Sequence, residues 1–187
     1  VSTVLKRRQP IGGGGTHMNM SIGRRWLLPF VLVSALVLCV PSVSFAGIKG
    51  RIVEGVGIKT AKLGLHDSTD APRIGGPYKR AKDTSYANQT VWRYRFGSKM
   101  STGKYPVEMY SHGNHHVFTF VINAKALVTS NGTHVGTSES ALTSRYGSRI
   151  KKSVGPVYTD YFMGTRSGRT DFWVLNGVIH HIVISRY

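Results

Sequence analysis

Aromatic and charged residues alternate strictly in the segment from 92 to 96. Trp92, Tyr94 and Phe96 are separated by Arg93 and Arg95. Because successive side chains of a β-strand point to opposite faces of a sheet, the three rings share one face and the two guanidinium groups share the other. The pattern therefore predicts a strand with one face in a core and the other in solvent.

Two glycine-containing pairs predict hairpins between apolar segments of this kind. Asn176-Gly177 suits a type I′ turn, because both central residues of that turn need positive φ. Gly113-Asn114 occupies the corresponding place earlier in the chain. Three further segments are rich in Gly, Ser, Lys or Arg and lack apolar periodicity, which predicts loops. The predicted loops are 99–104, 151–155 and 165–168.

Two short helices are predicted ahead of the two groups of strands. In the second helix, Thr137 or Ser138 is the expected N-cap, and Gly147 favours a left-handed exit after two turns at most. In the first helix, Asp67 is the expected cap, and the Gly-Gly-Pro sequence at 75–77 ends the helix after about one or two turns. Both helices are therefore short compared with the strands that follow them.

The same order of elements occurs twice along the chain, which is the pattern of an internal duplication. The first copy covers about residues 52–123 and the second about residues 124–187. We therefore predict an α+β fold of two similar halves. Each half is a short helix followed by an antiparallel β-meander, and the helices pack on one face of the sheet.

Glycines and alternating apolar residues form a recurring pattern in the second half. The residues concerned are Gly132-Thr-His-Val-Gly136-Thr-Ser138, Ala141-Leu142, Tyr146-Gly147 and Asn176-Gly177-Val178. The pattern resembles two-repeat secreted bacterial domains, such as the SmpA/OmlA (BamE-like) outer-membrane assembly lipoproteins and the β-lactamase inhibitory protein. The resemblance covers most of residues 52–187 and implies a non-catalytic protein-binding module. The chain lacks the lipobox cysteine of the first family and the disulfide cysteines of the second, so it implies no specific activity.

The first 46 residues differ in composition from the rest of the chain. Residues 18–46 have the order of a secretory signal peptide, with two arginines, an apolar run and Ala46 before the expected cut. The apolar run is shorter than the roughly 20 residues of a membrane-spanning helix, so no membrane span is expected after cleavage. Residues 1–17 are predicted to be disordered or a mis-assigned start, with Met18 or Met20 as the true first residue.

The remaining residues, 47–187, are predicted to form one basic domain. Five of the 25 Lys and Arg residues and none of the eight Asp and Glu residues precede residue 47, so the remainder carries a formal charge of +12. Such a charge attracts acidic proteins and anionic polymers alike. We expect an acidic protein partner or an anionic envelope polymer, and no specific nucleic acid. Cys39 lies in the predicted signal, so no disulfide or cysteine metal site is expected.

Catalytic and metal-binding groups do not occur in recognisable spacings. Side chains of the neighbours His115 and His116, and of His180 and His181, alternate across a strand, and no carboxylate lies beside either pair. We therefore predict no metal site and no cofactor. No spacing pairs two carboxylates and no G-x-S-x-G sequence is present, so a hydrolase is the third alternative and an enzyme is not expected.

Binding is the function that the sequence favours. The candidate contact residues are Trp92, Arg93, Tyr94, Arg95, Tyr110 and Trp173, since exposed aromatic and arginine side chains commonly mark interfaces. The competing interpretation places the rings in the core and leaves the arginines solvated. We predict a secreted or cell-envelope protein-interaction or inhibitor-like module. A polyanion-binding envelope protein is the alternative.

Overall fold

The computed structural model describes residue 48 and residues 50–186 of the chain. The predicted start region at 1–17, the choice between Met18 and Met20, and the predicted signal at 18–46 lie outside the described residues. Neither helix of the described part has the length and apolar content needed to cross a membrane.

Twelve strands, two α-helices and one 3₁₀ turn make up the described part of the chain. The strands are β1 (Gly50–Val53), β2 (Gly57–Ile58), β3 (Ala61–Lys62), β4 (Tyr78–Lys82), β5 (Val91–Phe96), β6 (Val107–His112), β7 (Val117–Ile122), β8 (Leu127–Thr129), β9 (Lys151–Val154), β10 (Thr159–Gly164), β11 (Arg169–Leu175) and β12 (Val178–Ser185). The helices are α1 (Asp67–Ile74) and α2 (Glu139–Tyr146), and the 3₁₀ turn is Gly147–Arg149.

Eight strands form one large antiparallel sheet in the order β4-β5-β6-β7-β12-β11-β10-β9. Each neighbouring pair runs antiparallel, and β7 pairs with β12 in the middle of the sheet. A second sheet has four strands in the order β3-β2-β1-β8. Its β1 and β8 run parallel, which brings Arg51 opposite Val128 and ties the start of the described chain to its middle.

The register aligns one row of side chains across all eight strands of the large sheet. Residues that are paired across neighbouring strands share a face, so this row defines the core face. The row consists of Tyr78, Phe96, Val107, Ile122, Ile182, Phe172, Tyr161 and Lys152. Its inner members, from Phe96 to Tyr161, are buried, whereas the two end members on the edge strands are exposed.

Both helices lie on the core face. Asp67 at the start of α1 accepts a hydrogen bond from Ser111 Oγ, and the Tyr146 ring at the end of α2 packs 5.2 Å from the Phe172 ring. The N-cap of α2 is Ser138, whose Oγ accepts a hydrogen bond from the Ala141 backbone N–H, as predicted. The expected cap of α1 was wrong, because His66 is its N-cap and Asp67 is its first helical residue.

The predicted α+β fold of two similar halves, each a helix followed by a meander, is wrong. The described residues are mostly β, with about 45% in strands and 14% in helices. The two helices have eight residues each, and the segment before α1 contributes three strands to a separate sheet together with β8. Two sheets and two short helices therefore replace the predicted arrangement.

The turn predictions had mixed outcomes. The Asn176-Gly177 hairpin is confirmed, with φ of 52° and 73° at the two residues. At the β6–β7 turn, His115 rather than Gly113 or Asn114 has positive φ, at 66°. The loops at 99–104 and 165–168 are confirmed. The predicted loop at 151–155 is wrong for most of its length, because an exposed edge strand needs no apolar periodicity.

Replacing a buried ring of the core row should destabilise the fold strongly. Phe172 is fully buried in the central part of the large sheet. We expect Phe172→Ala to lower the free energy of unfolding by about 3–5 kcal/mol, because it removes apolar burial and leaves a cavity. Urea denaturation measures this change. Phe162→Ala on the opposite face is the matched control, and a loss as large as that of Phe172→Ala would contradict the assigned faces.

Candidate binding surface

The second face of the large sheet, which we call the outer face, is also aligned as one row across eight strands. Its members are Lys79, Arg95, Glu108, Val121, Val183, Asp171, Phe162 and Lys151. Because both helices lie on the core face, the outer face carries no helix from the described part of the chain. Its apolar members Val121, Val183 and Phe162 remain half-buried rather than enclosed.

The register separates the six predicted contact residues into two groups. Arg93 is paired with Tyr110, and Arg95 with Glu108, which places these side chains on the outer face. Trp173 lies on the same face, since it is two residues from Asp171 on β11. Trp92 and Tyr94 lie on the core face. Tyr94 is 4% exposed and Trp92 is half-buried, so neither belongs to the outer-face surface.

Two carboxylates fix the position of the half-buried Arg93 side chain. Its guanidinium donates to Glu108 Oε2, at 2.9 Å from Nε and 2.6 Å from Nη2, and it lies 4.0 Å from Asp83. Tyr110 also donates its hydroxyl to Glu108 Oε2, at 2.8 Å. Burial and the Glu108 charge raise the pKa of the Tyr110 hydroxyl well above its usual value. These contacts fix the position of the Tyr110 ring on the surface. They also engage the Arg93 guanidinium within the protein, so that it is not available to a partner.

Arg95 is available to a partner in a way that Arg93 is not. No carboxylate of the described residues lies within ion-pair distance of Arg95 or of Lys79, its neighbour across β4 and β5. Like charges directly opposite each other on a sheet repel. An anionic group bound between these two side chains would relieve that repulsion. The Arg95 guanidinium lies 5.6 Å from the centre of the Tyr105 ring, which supports its position.

Aromatic and imidazole rings form a cluster on the outer face near β10, β11 and β12, away from Arg95 and Lys79. The Trp173 ring centre lies 5.2 Å from that of Tyr158 and 4.9 Å from that of His181. Burial and the positive charge of Lys104 lower the pKa of His181 to about 4, so this imidazole is neutral at physiological pH. The cluster therefore presents an uncharged aromatic surface beside the charged groups of β10 and β11.

Asp160 and Asp171 meet on neighbouring strands although eleven positions separate them in the chain. Arg169 donates to both, at 2.8 Å to Asp160 Oδ2 and 2.5 Å to Asp171 Oδ1. Its guanidinium also lies 3.9 Å from the centre of the Phe162 ring. Burial and the nearby charge of Asp171 raise the pKa of Asp160 to about 6. Arg169 donates to both carboxylates, and the two carboxylates lie close enough to hydrogen-bond to each other. The pair is therefore an ion-pair network without the gap that the paired carboxylates of a glycoside hydrolase need.

The eight carboxylates of the chain all have partners inside the fold. The partners are Tyr146 for Glu54, Ser111 and His115 for Asp67, Arg73 for Asp70, Ser85 and Arg93 for Asp83, Arg93 and Tyr110 for Glu108, Tyr161 and Lys152 for Glu139, and Arg169 for Asp160 and Asp171. The excess of basic residues therefore acts toward solvent and toward whatever binds the protein.

A second group of polar side chains lies at the start of α1 on the core-face side. Asp67 is 2% exposed, and its Oδ2 lies 2.6 Å from Ser111 Oγ and 3.0 Å from His115 Nδ1. These hydrogen bonds keep the pKa of Asp67 below its usual value despite its burial. Ser111 is fully buried and donates to Asp67 rather than to His115, so these three residues do not have the order of contacts of a catalytic triad.

The sequence missed both carboxylate clusters for the same reason. Asp67 lies 48 positions from His115, and Asp160 meets Asp171 only through the pairing of β10 with β11. No local spacing signals such contacts. The low number of acidic residues could have indicated these clusters. With eight carboxylates among 25 Lys and Arg residues, each carboxylate is expected to have a basic or hydrogen-bonding partner.

Comparisons with known proteins identified a similar solved structure. No protein-family model and no curated protein sequence matches the chain. Among solved structures, it is similar to the crystal structure of the uncharacterized protein yfeY from Escherichia coli, at 15% identity and a TM-score of 0.48, with 74% of this chain and 99% of that chain covered. This likeness carries no argument about function. The resemblance to the SmpA/OmlA lipoproteins and the β-lactamase inhibitory protein stays a prediction.

The raised pKa of Asp160 predicts a pH dependence with a defined sign. Its pKa is raised to about 6 in the folded protein from the 3.8 of an unperturbed aspartate, which we take for the unfolded chain. Between these values the folded state keeps a proton that the unfolded state has lost, so the stabilisation from this group is present below pH 4 and is lost as the pH rises to 6. We expect wild type to lose more stability than Asp160→Asn between pH 4 and pH 7, measured by urea denaturation.

Asp83→Asn provides the control with the opposite sign. Hydrogen bonds from Ser85 and the charge of Arg93 lower the pKa of Asp83 in spite of its burial. Its stabilisation is therefore present above pH 4 and is lost as the pH falls through the folded-state pKa. Equal pH profiles for wild type and Asp160→Asn would show that Asp160 titrates normally.

Proposed function

We propose that the protein is an exported, non-catalytic binding module that holds an acidic protein partner on the outer face of its eight-stranded sheet. The observation that carries the proposal is this face itself, which presents half-buried aromatic side chains on β6, β10 and β11 together with two cations on β4 and β5. Neither cation is within ion-pair distance of a carboxylate of the described residues. Export rests on the predicted signal at 18–46, which lies outside those residues.

The aromatic content of the outer face supports a protein as the partner. Tyr110, Phe162 and Trp173 lie on this face, and each is half-buried. Tyrosine, tryptophan and arginine dominate the binding energy of protein interfaces, because large rigid side chains bury much area at a low cost in conformational entropy. The ion pairs around Glu108 and Arg169 hold Tyr110 and Phe162 in place before a partner arrives.

The charge supports an acidic partner. Residues 47–187 carry a formal charge of +12, and the carboxylates of the chain already have partners in the fold. Arg95 and Lys79 lie side by side on the outer face, where an acidic side chain could contact both. Complementary charge of this kind raises the rate of association and selects against basic partners.

A polyanion-binding envelope protein is the second candidate, and the edges of the large sheet favour it. All residues of β4 and β9 are exposed, and these strands carry Lys79, Arg80, Lys82, Lys151 and Lys152. Lysines on edge strands also prevent unwanted pairing with other sheets, which is a sufficient reason for their presence. A polymer would bind to such charges without using the aromatic surface.

The non-catalytic part of the proposal rests on the way the candidate catalytic groups are used. In the described residues the Ser111, Asp67 and His115 contacts do not follow the order of a triad, and Arg169 binds both the Asp160 and the Asp171 carboxylate. A hydrolase remains the third alternative, and it would require a different site from these two.

Changing the outer face should abolish partner capture without unfolding the protein. We expect Arg95→Glu and Trp173→Ala each to reduce the capture of acidic proteins at least about tenfold, because the first removes a charged contact and the second an aromatic contact of the proposed surface. The bait is the purified chain, and the samples are secreted and envelope fractions of the producing cells, quantified protein by protein. Circular dichroism and urea denaturation establish that each variant is folded.

Arg166→Glu is the matched control for charge. It changes the net charge by the same amount as Arg95→Glu, but Arg166 lies exposed in the β10–β11 turn. Arg93 is unsuitable for this test, because its charge reversal would break the contacts with Glu108 and Asp83. If the partner binds at the outer face, Arg166→Glu should capture nearly as much of it as wild type does. Equal losses from the two charge reversals, with no loss from Trp173→Ala, would contradict the proposed site.

The salt dependence of binding separates the two candidate functions. Capture of a protein through aromatic contacts should fall modestly between 50 mM and 200 mM salt. Binding to a polyanion should fall by orders of magnitude over the same range, since it depends on counterion release. Heparin and poly-L-glutamate are suitable polyanion probes. Tight, steeply salt-dependent binding of both probes that Trp173→Ala leaves unchanged would favour the polyanion-binding function.

A further inference from the structure

Two histidines and one aspartate converge where α1 begins. One ligand atom each from His66, Asp67 and His115 lie within 4.8 Å of one another. Asp67 Oδ2 is 3.0 Å from His115 Nδ1, and Asp67 Oδ1 is 3.5 Å from His66 Nδ1. Two ligands on one tetrahedral zinc ion are about 3.3 Å apart, given metal–ligand distances of about 2.0–2.1 Å. The two separations that involve Asp67 are therefore close to those of ligands on one ion, and the two histidine ligand atoms lie within 4.8 Å of each other.

The backbone fixes the three residues relative to one another. The Asp67 N–H donates to the His115 carbonyl at 2.7 Å, and His66 forms an isolated β-bridge with His116. His115 reaches this position with a φ of 66°, a left-handed conformation that is uncommon for a residue other than glycine. Strained backbone of this kind is enriched at functional sites. The α1 N-terminus and the β6–β7 turn thus bring their side chains together as one unit.

Neighbouring side chains orient the carboxylate and the imidazole. Ser111 Oγ donates to Asp67 Oδ2, which leaves the carboxylate with a fixed direction in a buried position. The His115 ring stacks on Trp92 at 6.3 Å with an interplanar angle of 10°, and on His66 at 5.3 Å. Metal-binding carboxylates and imidazoles are commonly oriented by such outer contacts.

The site is open to an ion from solvent. The side chains of His66 and His115 are 49% and 37% exposed, whereas the Asp67 side chain is 3% exposed. Arg80 is the cation nearest to the cluster, with Nη2 3.2 Å from His115 Nδ1 and its guanidinium 4.0 Å from the Trp92 ring centre. Arg80 lies on the exposed edge strand β4, so it can move to solvent when an ion binds.

We infer that His66, Asp67 and His115 form a binding site for a divalent transition metal ion of the zinc type. Two imidazoles and one carboxylate are ligands that zinc accepts, and the remaining coordination positions are left for water or for a group of a partner. The bound ion would connect the start of α1 to the β6–β7 turn. The inference is independent of the proposed function, because this cluster lies on the core-face side of the sheet.

Zinc titration of the purified full chain without a histidine tag tests the inference. Isothermal titration calorimetry and equilibrium dialysis at pH 7.5 should give one bound zinc ion per chain, together with a rise in thermal stability. His66→Asn and His115→Asn should each weaken zinc binding at least about tenfold. Asparagine is chosen at position 66 because His66 is the N-cap of α1 and asparagine can also cap a helix. Asparagine is chosen at position 115 because it tolerates positive φ, so loss of binding would not reflect a disrupted turn.

His181→Ala is the matched control. His181 belongs to the neighbouring pair His180 and His181 on β12, where histidines also lie close together. We expect this variant to bind zinc with unchanged affinity and stoichiometry. Absence of zinc binding by wild type, zinc binding that survives both His66→Asn and His115→Asn, or an equal loss in His181→Ala would overturn the inference.

Discussion

The pairing of β7 with β12 is the constraint on which the large sheet depends. It places Ile122 opposite Ile182 and Phe120 opposite Ile184, so that buried side chains from distant parts of the chain meet in the middle of the core face. A shift of one residue would exchange the two faces of every strand beyond the junction. The outer face would then receive apolar side chains, and the core would receive Val183 and its charged neighbours. The surface proposed for binding exists only because this register is held.

The predictable part of the fold was local. The alternation from Trp92 to Phe96 and the Asn176-Gly177 turn depend on strand geometry and on positive φ, and both are confirmed. The predicted fold class was wrong because helix-capping and helix-ending signals locate a helix but do not show what fraction of the chain is helical. Two-residue strands such as β2, and the parallel pairing of β1 with β8, leave no periodicity in the sequence at all. Their positions are set by contacts between segments that are far apart.

The candidate surface was predictable to a similar extent. Strand alternation correctly placed Arg93 and Arg95 on one face. It could not show that Arg93 forms ion pairs with Glu108 and Asp83 whereas Arg95 forms none with them. Tyr94 is one of the predicted contact residues, yet the same alternation sends its ring toward the core. The convergence of His66, Asp67 and His115 required knowledge of the β6–β7 turn and of α1 together. Such groups become visible only when the topology is known.

The exposed lysines of β4 and β9 have a consequence for the behaviour of the protein at high concentration. Each edge strand offers unpaired backbone groups, which are a template for adding another strand. When two copies of the chain approach edge to edge, cations meet cations, and this repulsion opposes growth into filaments or other open-ended assemblies. The same charges make the edges unsuitable for recruiting a second copy but receptive to a negatively charged strand of a different protein.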